Sequence, residues 1–234
     1  YLAAFMAQNV SFKALYLSEA NLLNVLSQRA DILEFHLKNM GCQIDWDFAR
    51  REPESTKIRV GFLLDKISDE FETLAAIPNF EYLDRNKFEV IVYYFQVQDE
   101  GLGKYCENCV DKLVQLSEDL LTQVQEVRSY NLDILLISAN TTDTSQPTAL
   151  LCLHRLARVQ MATAASTPAT TGIRNVDYFL VGDLTLPADA AAQYREKLIT
   201  LEGSGVCLSY PVESAPARVE PTRSSWGATD ESIV

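Results

Sequence analysis

The sequence is poor in the features that mark several large classes of protein. No apolar stretch approaches the ~18–20 residues that a membrane-spanning helix needs, so no membrane partner is expected. Basic residues are outnumbered: 20 Lys and Arg stand against 32 Asp and Glu in 234 residues, a net charge of −12. No segment carries a basic stripe, which argues against a protein built to grip nucleic-acid phosphates. The acidity reads as a solubility feature. The Gly-x-Gly-x-x-Gly dinucleotide fingerprint, the phosphate loop with Gly-Lys-Ser/Thr and the Gly-x-Ser-x-Gly nucleophile elbow are all missing. Histidine is scarce, with only His36 and His154. That scarcity, and the lack of a second Cys pair beside Cys106 and Cys109, predicts no metal site. Cys106-Glu107-Asn108-Cys109 instead reads as two thiols sharing a helix face. Tyr1-Leu2-Ala3-Ala4-Phe5-Met6 lacks the basic start of a signal peptide, so a reduced cytoplasmic setting is expected for the five cysteines.

What is present divides into four parts. Residues 1–48 read as helical, the end of a helical, tetratricopeptide-like region. Ser18 and Glu19 predict the start of a helix carrying Leu22, Leu26, Ala30, Leu33, Leu37 and Met40, with Gly41 as its stop. Residues 49–56 form a charged, Pro-containing linker. Residues 57–210 alternate strand and helix patterns. Residues 211–234, with Pro211, Pro216 and Pro221, read as a linker leading out of the domain. The missing initiator Met and the apolar Ser232-Ile233-Val234 end suggest a piece of a longer protein.

Within 57–210, strands are expected at Ile58–Leu64, Phe88–Phe95, Lys112–Leu116, Ile134–Ile137, Arg158–Ala162, Tyr178–Val181 and Lys197–Leu201. Helices are expected near Glu72–Leu83 and Leu102–Cys109, after Ser117, and over Thr148–Leu156 and Ala188–Arg195. The unbroken run Ile134-Leu135-Leu136-Ile137 suits the middle of a parallel sheet. The alternation predicts an α/β protein with a doubly wound, mostly parallel, Rossmann-like sheet preceded by a short helical segment.

In such a sheet, ligands bind at the carboxyl ends of the strands. After the first strand come Lys66, Asp69 and Glu70, suited either to acid/base and phosphate work or to a solvated turn before a helix. After Ile137 comes the small, polar run Ser138–Thr144. After Ala162 comes Thr163–Asn175, which has no acid and one base. Its hydroxyls, bare N–H groups and small side chains over Ser166, Thr167, Pro168, Thr170, Thr171 and Gly172 suit a sugar or diphosphate; the other reading is a tightly packed corner. His154 is placed in the last turn of its helix, where the dipole favours a cation.

Several stretches, taken in order, resemble a known family. They are Lys57-Ile58-Arg59-Val60-Gly61, Phe80 to Val90, Leu132-Asp133-Ile134-Leu135-Leu136 and Leu156-Ala157-Arg158-Val159-Gln160. Pro168-Ala169-Thr170-Thr171-Gly172, Val176-Asp177-Tyr178 and Tyr194-Arg195-Glu196-Lys197-Leu198 complete the run. Together they look like the amino-terminal half of the catalytic region of O-linked N-acetylglucosamine transferases, and more narrowly their bacterial, often cyanobacterial, SPINDLY-type relatives. The match spans roughly Lys57 to Pro211.

The resemblance implies the first lobe of a GT-B glycosyltransferase of two Rossmann domains. Such an enzyme moves a sugar, here N-acetylglucosamine, from a nucleotide diphosphate donor such as a UDP-sugar to a protein Ser or Thr, with inversion and without a bound metal or cofactor. The partners it implies are an acceptor protein and the nucleotide sugar, which the second lobe holds. Thr222-Arg223-Ser224-Ser225-Trp226-Gly227 looks like the approach to that lobe, and these 234 residues alone are expected to be inactive. Two departures stand out: no His follows the first strand, and the family's Gly-Thr-Ser-Gly becomes Ala169-Thr170-Thr171-Gly172. Glu70 or Asp69 is the expected acceptor-side base, with Lys66 beside them and Ser166 to Gly172 shaping the substrate cleft. The rival reading is a non-catalytic, transferase-like scaffold for protein interactions.

Overall fold

A computed structural model describes residues 5–6, 11–51, 57–142 and 147–211. A 3₁₀ turn at Lys13–Leu17 precedes helix α1 (Leu23–Asn39). Then follow β1 (Ile58–Leu63), β2 (Lys66–Ile67), α2 (Phe71–Glu81), β3 (Phe88–Tyr94), β4 (Gln96–Val97), α3 (Glu100–Asn108) and β5 (Lys112–Gln115). The second half runs α4 (Leu120–Ser129), β6 (Ile134–Ile137), α5 (Pro147–Leu151), β7 (Val159–Thr163), β8 (Tyr178–Gly182) and β9 (Lys197–Leu201). The tail of the sequence and residues 143–146, including the expected Thr222–Gly227 approach, lie outside the described residues.

Seven strands form one sheet in the order β5-β3-β1-β6-β7-β8-β9, and every pairing in it is parallel. The order runs outward from β1 in one direction and then restarts with β6 in the other, so the fold is a doubly wound, Rossmann-like α/β sheet whose switch point lies between β1 and β6. Side chains alternate faces along each strand. Val60, Phe62, Val90, Val92 and Leu136 join Leu74, Ile77 and Phe80 of α2 and Leu102 and Cys106 of α3 in one apolar layer. Leu63, Ile91, Tyr93, Leu135 and Ile137 join Val124 and Val127 of α4 and Leu151 of α5 in the other.

The amino-terminal helix belongs to that second layer, through Ala30, Leu33 and Leu37. Its outer charges are tied to the sheet's far loops: Arg174 meets Glu34 at 2.8 Å and Arg195 meets Asp31 at 2.8 Å. Gly172 takes φ +67°, and a Cβ there would lie 2.4 Å from the backbone carbon of Leu26. Only glycine lets the corner after β7 come this close to α1.

A repeated device sets the register at the amino ends of the strands. Asp111, Asp133 and Asp177 each precede a strand. Each accepts a hydrogen bond through Oδ2 from a neighbouring strand's N–H: Val90 at 2.8 Å, Arg59 at 2.9 Å and Gln160 at 2.8 Å. Each also donates its own N–H to the same residue's carbonyl. The bonds give these backbone groups near the strand starts a partner just where the neighbouring strand begins. Arg155 adds a two-pronged ion pair to Asp177, at 2.6 and 3.1 Å.

Pro78 sits inside α2 and has no N–H, which frees the carbonyl of Leu74. The strap after β9 crosses here, and the Ser209 N–H fills that position at 3.0 Å.

Several expected boundaries are corrected. The first helix starts at Leu23 rather than after Ser18, because the Asn21 side chain takes the Leu23 N–H at 2.9 Å. Ser18 accepts only from Ala20 N–H, in a local turn. Asp119, not Ser117, caps α4. The expected Ala188–Arg195 helix shrinks to a 3₁₀ turn at Ala190–Gln193. The Thr148–Leu156 helix ends at Leu151, so His154 lies beyond it. Among the described residues, no helix is long and apolar enough to cross a membrane.

Candidate functional site

Parallel strands deliver their following loops to one edge, and at a switch point the two flanking loops diverge to leave a crevice. Here those loops follow β1 and β6, with the loop after β7 beside them.

The loop after β1 turns at once into the two-residue strand β2, which pairs with β4 in a separate small sheet. Lys66 is therefore held in extended backbone, and its carbonyl accepts from Thr73 Oγ1 at 3.0 Å. Its ammonium meets Glu70 Oε1 at 2.5 Å. That carboxylate holds the lysine above its ordinary range, as a cation. Asp69 and Glu70 are exposed at the start of α2. Both carboxylates are open to an incoming hydroxyl, which is the access a proton acceptor needs.

The segment 138–142, which follows β6, is buried and carries no charge. Asn140 Oδ1 accepts from the Thr142 N–H at 2.9 Å and from Thr142 Oγ1 at 2.8 Å. Over it lies the amino-terminal arm. The Phe12 N–H donates to the Thr142 carbonyl at 3.1 Å, and the Tyr16 hydroxyl meets Thr142 Oγ1 at 2.6 Å. Burial raises the Tyr16 phenol above its usual range, so it stays protonated. Ser138 Oγ, Thr141 Oγ1 and Thr167 Oγ1 are buried without a hydrogen-bond partner, all three on loops after β6 and β7.

The loop after β7 divides into two halves. Ser166 and Thr167 fold back on the strand ends: Ser166 Oγ lies 3.3 Å from the carbonyls of Ile137 and Thr163, and the Thr167 N–H donates to Thr163 at 3.1 Å. Pro168, Ala169 and Thr170 then line a cleft of about 220 Å³, closed on its other side by Tyr16, Glu19 and Tyr194. Thr171 and Gly172 turn inward. The buried carboxylate of Glu196 collects this corner, accepting from Thr170 Oγ1 at 2.6 Å, the Thr171 N–H at 2.8 Å and Thr171 Oγ1.

The expected residues thus fall into two groups on the same edge. Pro168 and Thr170 share a cleft with Tyr16. Lys66, Asp69 and Glu70 are not part of that cleft's lining. Tyr16, Asn140 and Glu196 escaped the sequence reading as site residues. Glu196 stood in a quoted stretch, but nothing local ties it to the corner 25 residues away. His154 is also corrected: burial, reinforced by the nearby Arg128 cation, pushes its imidazole down to about 4. It is therefore neutral at physiological pH and does not act as a helix-end cation. The five cysteines are free thiols. Among the described residues, no group of three or more His, Cys, Asp or Glu is placed to hold a metal ion.

No protein-family model matches the chain, and no curated protein matches it in sequence. Among solved structures, the chain is similar to a mutant of the Thermobaculum terrenum O-GlcNAc transferase, with a TM-score of 0.66 and 20% identity. The likeness covers 87% of this chain, which spans 39% of that structure's length. At this identity what the two share is the fold: a doubly wound α/β sheet seen also in a glycosyltransferase.

Proposed function

We propose that this chain is the first lobe of a glycosyltransferase that moves a sugar from a nucleotide diphosphate donor to a protein hydroxyl. The observation that carries the reading is the exposed Pro168 corner, which opens with Thr170 onto a cleft at the carboxyl edge of a Rossmann-like sheet. The fold likeness to an O-GlcNAc transferase supports it, as do the stretches that resemble the SPINDLY-type relatives.

In this reading the donor is a UDP-sugar carrying N-acetylglucosamine, and the acceptor is a Ser or Thr of a cytoplasmic protein. The acceptor oxygen attacks the anomeric carbon as the bond to the diphosphate breaks, with inversion. Its proton passes to Glu70 or Asp69. Backbone N–H groups and cations carry the charge of the leaving diphosphate, in place of a metal, while Lys66 stays paired with Glu70 on the acceptor side. The acceptor hydroxyl is held in line, and Thr170, Thr171 and Gly172 shape the cleft beside it. Donor contacts come from a second lobe, so these 234 residues alone turn nothing over.

A second reading is favoured by one specific observation. The hydroxyls of Thr170 and Thr171 are both engaged by Glu196, which suits a corner kept for packing in a non-catalytic scaffold. The full-length protein incubated with a panel of nucleotide sugars separates the two. Release of nucleoside diphosphate supports transfer, and silence with every donor supports the scaffold.

A further inference from the structure

A second cavity lies away from the carboxyl edge, along the outer stripe of α4. It has a volume of about 500 Å³ and is lined by Leu121, Val124, Gln125, Arg128 and Ser129 of that helix. Gly41, Gln43 and Trp46 of the segment after α1 form the opposite wall, and His154 joins the lining. The size falls within the range of small-molecule sites.

Its chemistry selects the ligand. Arg128 is already committed: its guanidinium donates to the carbonyls of Gln43 and Arg155 at 2.9 Å and stacks 4.7 Å over the Trp46 ring. That stacking fixes the indole while leaving Trp46 41% exposed, so one aromatic surface stays open beside Leu121. His154 turns Nδ1 toward the carbonyls of Leu150 and Leu151, at 3.2 and 3.3 Å. Those contacts place the proton on Nδ1. Nε2 has no partner and the side chain is fully buried, so His154 backs the cavity without offering an atom to a ligand. Gln43 and Gln125 can both donate and accept, while Ser129, whose hydroxyl donates to the Glu126 carbonyl at 2.6 Å, can still accept. The lining holds no carboxylate and no ammonium.

A phosphate or carboxylate ligand finds no uncommitted cation here. A purely apolar ligand would cover the Gln43 and Gln125 amides and give them no partner. The arrangement fits a neutral molecule with an apolar face for one indole and several hydroxyls for the Gln43 and Gln125 amides. We propose that this cavity binds a neutral sugar, distinct from any sugar handled at the carboxyl edge. The inference does not depend on the transferase reading.

Saturation-transfer NMR on the 234-residue chain with N-acetylglucosamine, glucose, galactose and mannose tests it. Transfer to the ring protons of at least one sugar is expected, with millimolar affinity as befits so few atoms. Affinity should fall at least about tenfold in Trp46→Ala and in Gln125→Ala, both exposed positions whose replacement leaves the core intact. No transfer from any of the four sugars, or binding that persists unchanged in Trp46→Ala, would overturn the proposal.

Discussion

Thr170 donates its hydroxyl to the buried carboxylate of Glu196 at 2.6 Å, and Thr171 donates both its N–H and its hydroxyl to the same group. One side chain from the start of β9 thus shapes the corner after β7. Removing it leaves buried donors with nothing to bond, and that costs more than the bonds themselves contribute. Glu196→Ala should destabilise the chain by on the order of 3 kcal/mol in urea unfolding, and Glu196→Gln by about 1 kcal/mol. A Glu196→Ala variant within roughly 0.5 kcal/mol of the parent would show that the corner stands without its clamp.

Gly172 tests the seat of α1. Its φ of +67° disfavours any side chain, and a Cβ would sit 2.6 Å from the Leu26 carbonyl oxygen. The obstacle is backbone, which cannot swing aside. Gly172→Ala should cost about 3 kcal/mol. It should also make α1 an early target of limited proteolysis, with the sheet cut more slowly.

The sheet itself was legible before any coordinates. Runs such as Ile134–Ile137 are apolar on both faces, and only the interior of a parallel sheet wants that. Local signals failed where distant groups decided the outcome. Ser18 and Glu19 have the chemistry of a helix start, yet the cap came from Asn21. The two-residue strands β2 and β4 are too short to leave a pattern. The carboxyl-edge location of Lys66 and Pro168 followed from their place just after a strand of a parallel sheet. The wall of their neighbourhood did not, because Tyr16 reaches Thr142 across 126 residues. An Asp just before each strand was visible at 111, 133 and 177, but its bond to the neighbouring strand exists only once strand order is known.

His154 makes stability depend on pH in a definite direction. Its folded-state imidazole titrates near 4, held down first by burial and then by Arg128, with the Glu34 carboxylate opposing. In the unfolded chain it returns to about 6.5. Between those values the unfolded chain binds the extra proton, so stability is complete above about 6.5 and falls as the pH drops toward 4. The loss should reach about 3 kcal/mol. Carboxylates titrate over part of the same range, so the readout is the parent minus His154→Gln in paired urea melts at each pH. A difference that does not change between neutral pH and pH 4 would place the imidazole in a wetter setting than the structure gives it.

Glu70 separates chemistry from architecture. Its carboxylate is 56% exposed and bonds to Lys66 one helical turn away in sequence. An ion pair this open contributes little to folding, because water and mobile side chains absorb most of the attraction. Glu70→Gln should therefore change unfolding free energy by no more than about 0.5 kcal/mol. A general base is different, since its loss slows proton removal from every acceptor hydroxyl. In the full-length protein Glu70→Gln should lower kcat about 10²-fold or more with KM for the donor unchanged, and Asp69→Asn should have the lesser effect. Reversal of that order would move the base to Asp69. Full turnover in both variants would remove the loop after β1 from the chemistry and leave Lys66–Glu70 as a surface pair at the edge of the crevice.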